Sequence, residues 1–295
     1  MAFGIVTIVE GDFYARMAKA LALSLNLHCP EIPKAVICSK KYIDQLNSYY
    51  SLCIPIEKQR GTVSGFEQKL HLDFYSPFDE TLYLDCDSLA YKSLNFIPKL
   101  YSEQDIGYVG KKTTNGIWYN VSIEDLCRSF NLKYLIQAQG GFLFFRKREL
   151  CQKFFSLARN YHQQSLTLGV PEWSWRGKNI FSDEIAIGLS LSECGIEPIE
   201  DRGTTMRYPM GLRGRPILDV INSKCILESE SSDYSNDNCI VEPAIFHFCT
   251  WHNNSIYTRE RIKLDLYNEY PFLKPLISPL GLLIESVDKL RNRNY

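Results

Sequence analysis

The chain has 295 residues, 45% of them hydrophobic and 13% aromatic, and a formal net charge of −1. That length and apolar content supply one large core, or one core with an appendage. The near-neutral balance excludes the broad basic field of a nucleic-acid binder. Ten cysteines scattered singly, with no Cys-x-x-Cys, exclude a zinc ribbon.

Taken in order, Phe3–Val9 is a short β-rich run, and 12–27 follows with Met17, Ala20, Leu21 and Leu25 at helical spacing. No basic segment precedes the run, so it is read as a first strand rather than a signal peptide. Residues 33–38 and 52–56 predict two more strands around a short helix at 41–50. A helix at 66–75 leads to the strand Leu82–Leu84. Strands alternating with helices predict an α/β fold with a mainly parallel central sheet flanked by helices.

The second half is less regular. Strands are expected at 106–109, 141–145 and 244–248, and helices at 149–162, 185–191 and 257–267, with Ser182 as an N-cap. A polar loop at 111–120 carries Trp118 and Tyr119. Residues 202–216, rich in Gly and Arg, predict a loop. Residues 228–238 are acidic, Ser- and Asn-rich, and predict a mobile one. Ser278-Pro279 reads as an N-cap and N1 pair opening a C-terminal helix, with Leu280, Leu283, Ile284, Val287 and Leu290 on one face and Lys289, Arg291 and Arg293 at its end. Docking on its own domain is the main reading of that helix, and a weak contact with a membrane surface or partner is the sharper one. The expected division is a domain at 1–269 and a helical extension at 270–295. No apolar run reaches the roughly 20 residues needed to span a bilayer. Single cysteines within apolar runs suit a reduced, cytoplasmic protein, or one peripheral at the inner membrane surface.

The chemistry gathers at Thr81-Leu-Tyr-Leu-Asp-Cys-Asp87, a buried strand that ends in two carboxylates. Carboxylates at the edge of a core need a cation or hydrogen-bond donors. Asp85 and Asp87, one residue apart, can face one side and hold a hard divalent ion. In open α/β sheets, ligands bind beyond the carboxyl ends of the strands, where this pair sits. Asp-x-Asp alone is a weak signal. A second apolar strand ending in a ligand, Ala244-Ile-Phe-His-Phe248, strengthens it, because two carboxylates and an imidazole suit Mn²⁺.

Four ordered blocks resemble the GT-A fold glycosyltransferases, most closely family 8, which includes glycogenin and bacterial galactosyltransferases. They are Ile5-Val-Thr-Ile-Val-Glu-Gly-Asp-Phe-Tyr14, Lys69 through Asp87, Gln139-Gly-Gly-Phe-Leu-Phe-Phe145, and Ile245-Phe-His-Phe-Cys249. The resemblance implies a hexosyltransferase that uses Mn²⁺ or Mg²⁺, a nucleotide-sugar donor (a UDP-hexose) and a saccharide, lipid or protein acceptor. It implies Asp87 and His247 as metal ligands, Asp85 on the metal or the ribose, and Val9 and Tyr14 along the base. Lys69 would take a basic position near the donor, Gln139 and Gly141 would touch the sugar, and Asp183 and Glu184 would face the reacting centre. The chain departs from the family at three places. Gln139 replaces Asn, Glu184 replaces Gln, and no Lys follows His247. Arg207, Arg213, Arg215 or Arg259 would have to grip the diphosphate instead. Trp173, Trp175 and Trp251 are candidate platforms for an acceptor sugar. Asp-Cys-Asp after a strand also resembles the nucleophile motif of HAD phosphatases, and a non-catalytic nucleotide-sugar-binding scaffold is a further reading.

Overall fold

A computed structural model of the chain describes residues 2–56, 65–165, 167, 169, 173–175, 178–180, 182–198, 201, 203–229, 239–251, 254–281 and 283. Its centre is a six-stranded sheet in the order Leu52–Pro55, Lys34–Cys38, Phe3–Val9, Glu80–Leu84, Leu135–Arg146 and Ile106–Thr113. The first four strands pair in parallel. Leu135–Arg146 runs antiparallel to both of its neighbours. Five strands therefore point one way and one runs against them.

Phe3–Val9 is apolar apart from Thr7 because both of its faces are covered. Ile5 meets the core on one side, with Leu21 and Leu25 of the helix Asp12–His28. Val6 and Ile8 meet the core on the other, with Phe154, Phe155 and Ala158 of Glu149–Gln163 and Ile187 and Leu191 of Asp183–Glu193. Each such side chain contributes about 1.5–3 kcal/mol by leaving water. Ala15, Ala18, Ala20 and Ala22 on the first helix are all buried, which lets its backbone lie close to the sheet. Asp12 in its first turn complements the positive end of the helix dipole.

Several expected elements change. The helix at 66–75 is two pieces, Gly65–Lys69 and Leu72–Tyr75, and the break buries both Leu70 and Leu72. The strand expected at 141–145 spans twelve residues, Leu135–Arg146; Gln137 and Gln139 interrupt the apolar pattern of its first half and hide it from the sequence. The loop expected at 202–216 holds the strand Met206–Arg207 and the start of Leu212–Asp219. The latter pairs antiparallel with Lys224–Ser229, which pairs with Cys239–Val241. Residues 230–238 lie outside the described residues. Ser278 does not open a helix. Residues 274–281 are already helical, following Pro271–Leu273, and Ser278 Oγ accepts from Asn222 Nδ2 at 2.9 Å. Ile284, Val287 and Leu290 lie outside the described residues. Among those described, no helix is long and apolar enough to cross a membrane.

The C-terminal segment docks over a buried ionic cluster on the helix Ser255–Glu269. Glu260 is fully buried and takes Arg259 Nε at 2.8 Å and Lys263 Nζ at 3.0 Å. Lys263 also reaches Asp219 at 3.3 Å. The remaining oxygen of Glu260 accepts the Val220 N–H at 2.6 Å. Gly281 lies so close that a Cβ there would stand 2.5 Å from Lys263 Cε.

Candidate active site

The strand Glu80–Leu84 delivers Asp85, and a tight turn delivers Asp87; the Ser88 N–H donates to Asp85 O at 3.0 Å. The chain then enters the strand Ser88–Ala90, which pairs antiparallel with Ile245–His247. His247 falls opposite Ser88, so strand register alone sets its imidazole beside Asp87. Nε2 stands 3.0 Å from Asp87 Oδ1 and 3.6 Å from Asp85 Oδ2. The ligand atoms of all three residues lie within 4.8 Å of one another, the one such grouping among the described residues.

The reversed strand brings the next layer. Asp85 N–H donates to Gly141 O at 3.1 Å. Gly141 must be glycine, because a Cβ would meet the His247 ring at 2.5 Å. Gln139 contacts His247 Nδ1 at 3.0 Å through Nε2 and accepts the Gly141 N–H through Oε1. Gln139 therefore holds the ring of one candidate ligand from behind, a role that orients a metal-binding imidazole.

Lys69 ties the two carboxylate layers together. Its Nζ lies 3.0 Å from Asp85 and 3.1 Å from Asp183. Tyr83 also donates to Asp85 through its hydroxyl. Burial opposes the lysine's charge, but Asp183 and Asp85 outweigh it and hold its pKa above the ordinary value. Ser182 caps the helix Asp183–Glu193 by accepting the Glu184 N–H at 3.2 Å, as its sequence position suggests. Glu184 turns back to the sheet. Oε1 accepts the Gly140 N–H at 2.8 Å and Oε2 accepts the Tyr119 hydroxyl at 2.7 Å. Burial raises the pKa of both Asp183 and Glu184, against the pull of Lys69. The His247 pKa is also raised, because Asp87 and Asp85 outweigh its burial.

Among the described residues, Asp85, Asp87, Asp183 and Glu184 face one lysine and one histidine. This surplus of carboxylate, with oxygen and imidazole donors on one side, fits a divalent cation such as Mn²⁺ or Mg²⁺.

The remaining candidates separate. Val9 ends the strand next to Glu80–Leu84, but its side chain is wholly buried and leaves only backbone to offer. Tyr14 lies in the following helix, its ring edge-on to Phe13 at 5.5 Å. Arg207 is buried against Asp201 and Arg259 against Glu260, so neither takes the place of the missing lysine. Arg213 and Arg215 are exposed. Trp251 packs on Phe246, with centroids 6.2 Å apart. The side chains of Trp173 and Trp175 lie outside the described residues. Tyr119 was legible only as an aromatic in a polar stretch. Its signal is the neighbouring Asn120, a turn former that places it at the tip of a hairpin.

No family model and no curated protein sequence matches the chain. Solved structures do. A glutamine-to-glutamate active-site mutant of LgtC superposes with a TM-score of 0.54 at 15% identity, over 87% of this chain and 94% of LgtC. Galactosyltransferase LgtC with donor and acceptor sugar analogues gives 0.52 at 13% identity, over 88% and 95%. The bifunctional glycosyltransferase WbbM gives 0.50 at 10% identity, over 84% of this chain but 45% of WbbM, so the chain spans just under half of that protein. The mixed sheet flanked by helices therefore has the fold of the GT-A glycosyltransferases.

Proposed function

We propose that the chain is a metal-dependent hexosyltransferase that moves a sugar from a nucleotide-diphosphate donor to a saccharide, lipid or protein acceptor. The observation that carries this reading is the Asp85–Asp87–His247 trio at the carboxyl edge of a GT-A sheet, backed by surplus carboxylate. Asp87 and His247 would hold the ion, and Asp85 would share it or take the ribose. A bound Mn²⁺ or Mg²⁺ supplies Lewis-acid stabilisation of the departing diphosphate, several kcal/mol of the barrier. UDP as the nucleotide follows from the family resemblance.

The chain's own residues do the positioning. Lys69 holds Asp85 and Asp183 at fixed separation, and Gln139 fixes the His247 ring. Asp183, in the first turn of its helix, accepts hydrogen bonds from sugar hydroxyls. Glu184 faces the anomeric carbon, which gains positive charge as the bond to phosphate breaks, and a nearby carboxylate stabilises that charge. Tyr14 stacks on the base and the Val9 backbone lines it. The anomeric configuration of the product assigns retention or inversion.

A screen of nucleotide sugars with Mn²⁺ tests the reading. Mn²⁺-dependent release of nucleoside diphosphate should occur with wild type and be lost in Asp87→Ala. Undiminished release by the variant would overturn the metal assignment. Phosphate release from simple esters would point to a phosphatase, and UDP binding with no release to a scaffold. We place the enzyme in the cytoplasm, in keeping with the nine free thiols among the described residues. Weak membrane-surface contact is supported by exposed Phe272, Leu276 and Leu283. Co-sedimentation with anionic vesicles, unchanged by Leu276→Glu, would rule that contact out.

A further inference from the structure

The strands Ile117–Trp118 and Val121–Ser122 form a hairpin in which Trp118 pairs with Val121. Tyr119 and Asn120 are its two-residue loop, and both have left-handed backbone, with φ of 49° and 59°. Positive φ at both central residues is the type I′ pattern, which suits Asn and Gly. A bulky tyrosine in that conformation is strained and persists only where its surroundings over-determine it. Two contacts do so. Trp118 lies against Gly188, where a Cβ would come within 3.0 Å of the indole. The Tyr119 hydroxyl donates to Glu184 Oε2 at 2.7 Å.

Glu184 is thus strung between two elements, with one oxygen on the Gly140 N–H and the other on the hairpin tip. We infer that Tyr119 is a positioning residue for glycosyl transfer, fixing the plane of the Glu184 carboxylate towards the reacting sugar. This rests on the reading that Glu184 faces the anomeric carbon. A hydroxyl can both donate and accept. Facing glutamate, Tyr119 donates. Facing glutamine, it can accept from the amide N–H while Oε1 keeps the Gly140 N–H. Phenylalanine can do neither, and it leaves one carboxylate oxygen without its donor.

The test compares wild type, Tyr119→Phe, Glu184→Ala and the double variant. It reads UDP affinity with Mn²⁺, the KM and kcat of donor turnover, and amide exchange of residues 117–122. Tyr119→Phe should lower kcat about 10- to 100-fold, the scale of a small misplacement of a reacting group, with donor KM and UDP affinity within about twofold. In the Glu184→Ala background the same change should leave kcat within about twofold, because no carboxylate remains to be positioned. Equal losses in both backgrounds would assign Tyr119 to structure alone and overturn the inference, as would an unchanged kcat in Tyr119→Phe. A wild type that neither binds UDP nor turns over any donor would overturn the glycosyl-transfer reading and this role with it. Faster exchange of 117–122 in Tyr119→Phe would then still establish the contact, and unchanged exchange would remove that too.

Discussion

The molecule buries charge in two places, and the two are built differently. Around Glu260, two cations (Arg259 and Lys263) meet two anions (Glu260 and Asp219), and Val220 and Leu218 satisfy the atoms left over. Around Lys69, four carboxylates meet one lysine and one histidine. The first cluster neutralises itself and seats the C-terminal segment. Among the described residues the second carries surplus negative charge, a state that a bound cation or bound protons relieve. A balanced buried cluster reads as architecture, and an unbalanced one as a place where something else binds.

Breaking the balanced cluster should have the largest effect on folding. Lys263→Met strands Glu260 in a dry site and should cost about 3–5 kcal/mol, read by urea unfolding. In the unbalanced cluster the same kind of change should leave the metal-free fold as stable as wild type or raise its melting temperature. Asp87→Asn should do this while lowering Mn²⁺-dependent transfer about 100- to 1,000-fold. Loss of stability in Asp87→Asn would remove the contrast between the clusters. Gly141→Ala pushes on the His247 ring and should weaken Mn²⁺ affinity about 10- to 100-fold by titration.

A smaller effect sharpens the comparison through pH. Burial holds the Glu184 pKa in the folded chain above its ordinary value of 4.5. The unfolded chain therefore loses this proton first as pH rises, and folding must hold a proton or bury a charge. The group's stabilising contribution is complete below pH 4.5 and is lost as pH rises through the folded value. Glu184→Gln has no such loss, so its stability relative to wild type should grow across that window, read by melts from acid to neutral pH. A gap that shrinks would reverse the sign of the argument. The exposed pair Lys92–Glu242 is the control, and Lys92→Ala should change stability by less than about 0.5 kcal/mol.

The sequence is most readable where a segment is buried on both faces. Phe3–Val9, Lys34–Cys38 and Glu80–Leu84 are mainly apolar runs; the end of the last locates Asp85 and Asp87, and the apolar run Ala244–Phe248 locates His247. Readability fails where a segment serves the site. Leu135–Arg146 hides half its length behind Gln137, Gln139 and two glycines, the last three of which line a polar cluster rather than the core. Arg213, Gly214 and Arg215 read as loop but lie in a solvent-facing strand, where the register with Lys224–Ser229 shifts between Arg213 and Ile217. The link from Tyr119 to Glu184 joins residues 65 positions apart and depends on a turn of two left-handed residues, which no periodicity reports.

The antiparallel pairing of Ser88–Ala90 with Ile245–His247 also bears on biosynthesis. Contacts so distant in sequence close late, after the loop between them has been brought together. A nascent chain carries Asp85 and Asp87 for as long as it takes to add the next 160 or so residues, several seconds or more at ordinary elongation rates. Through that interval the Ser88–Ala90 edge has no partner from 245–247, and the two aspartates have no imidazole. The candidate ion site is therefore completed only once residue 247 has been made, and chains that stop short of it would present an open strand edge, a feature that invites aggregation and quality control.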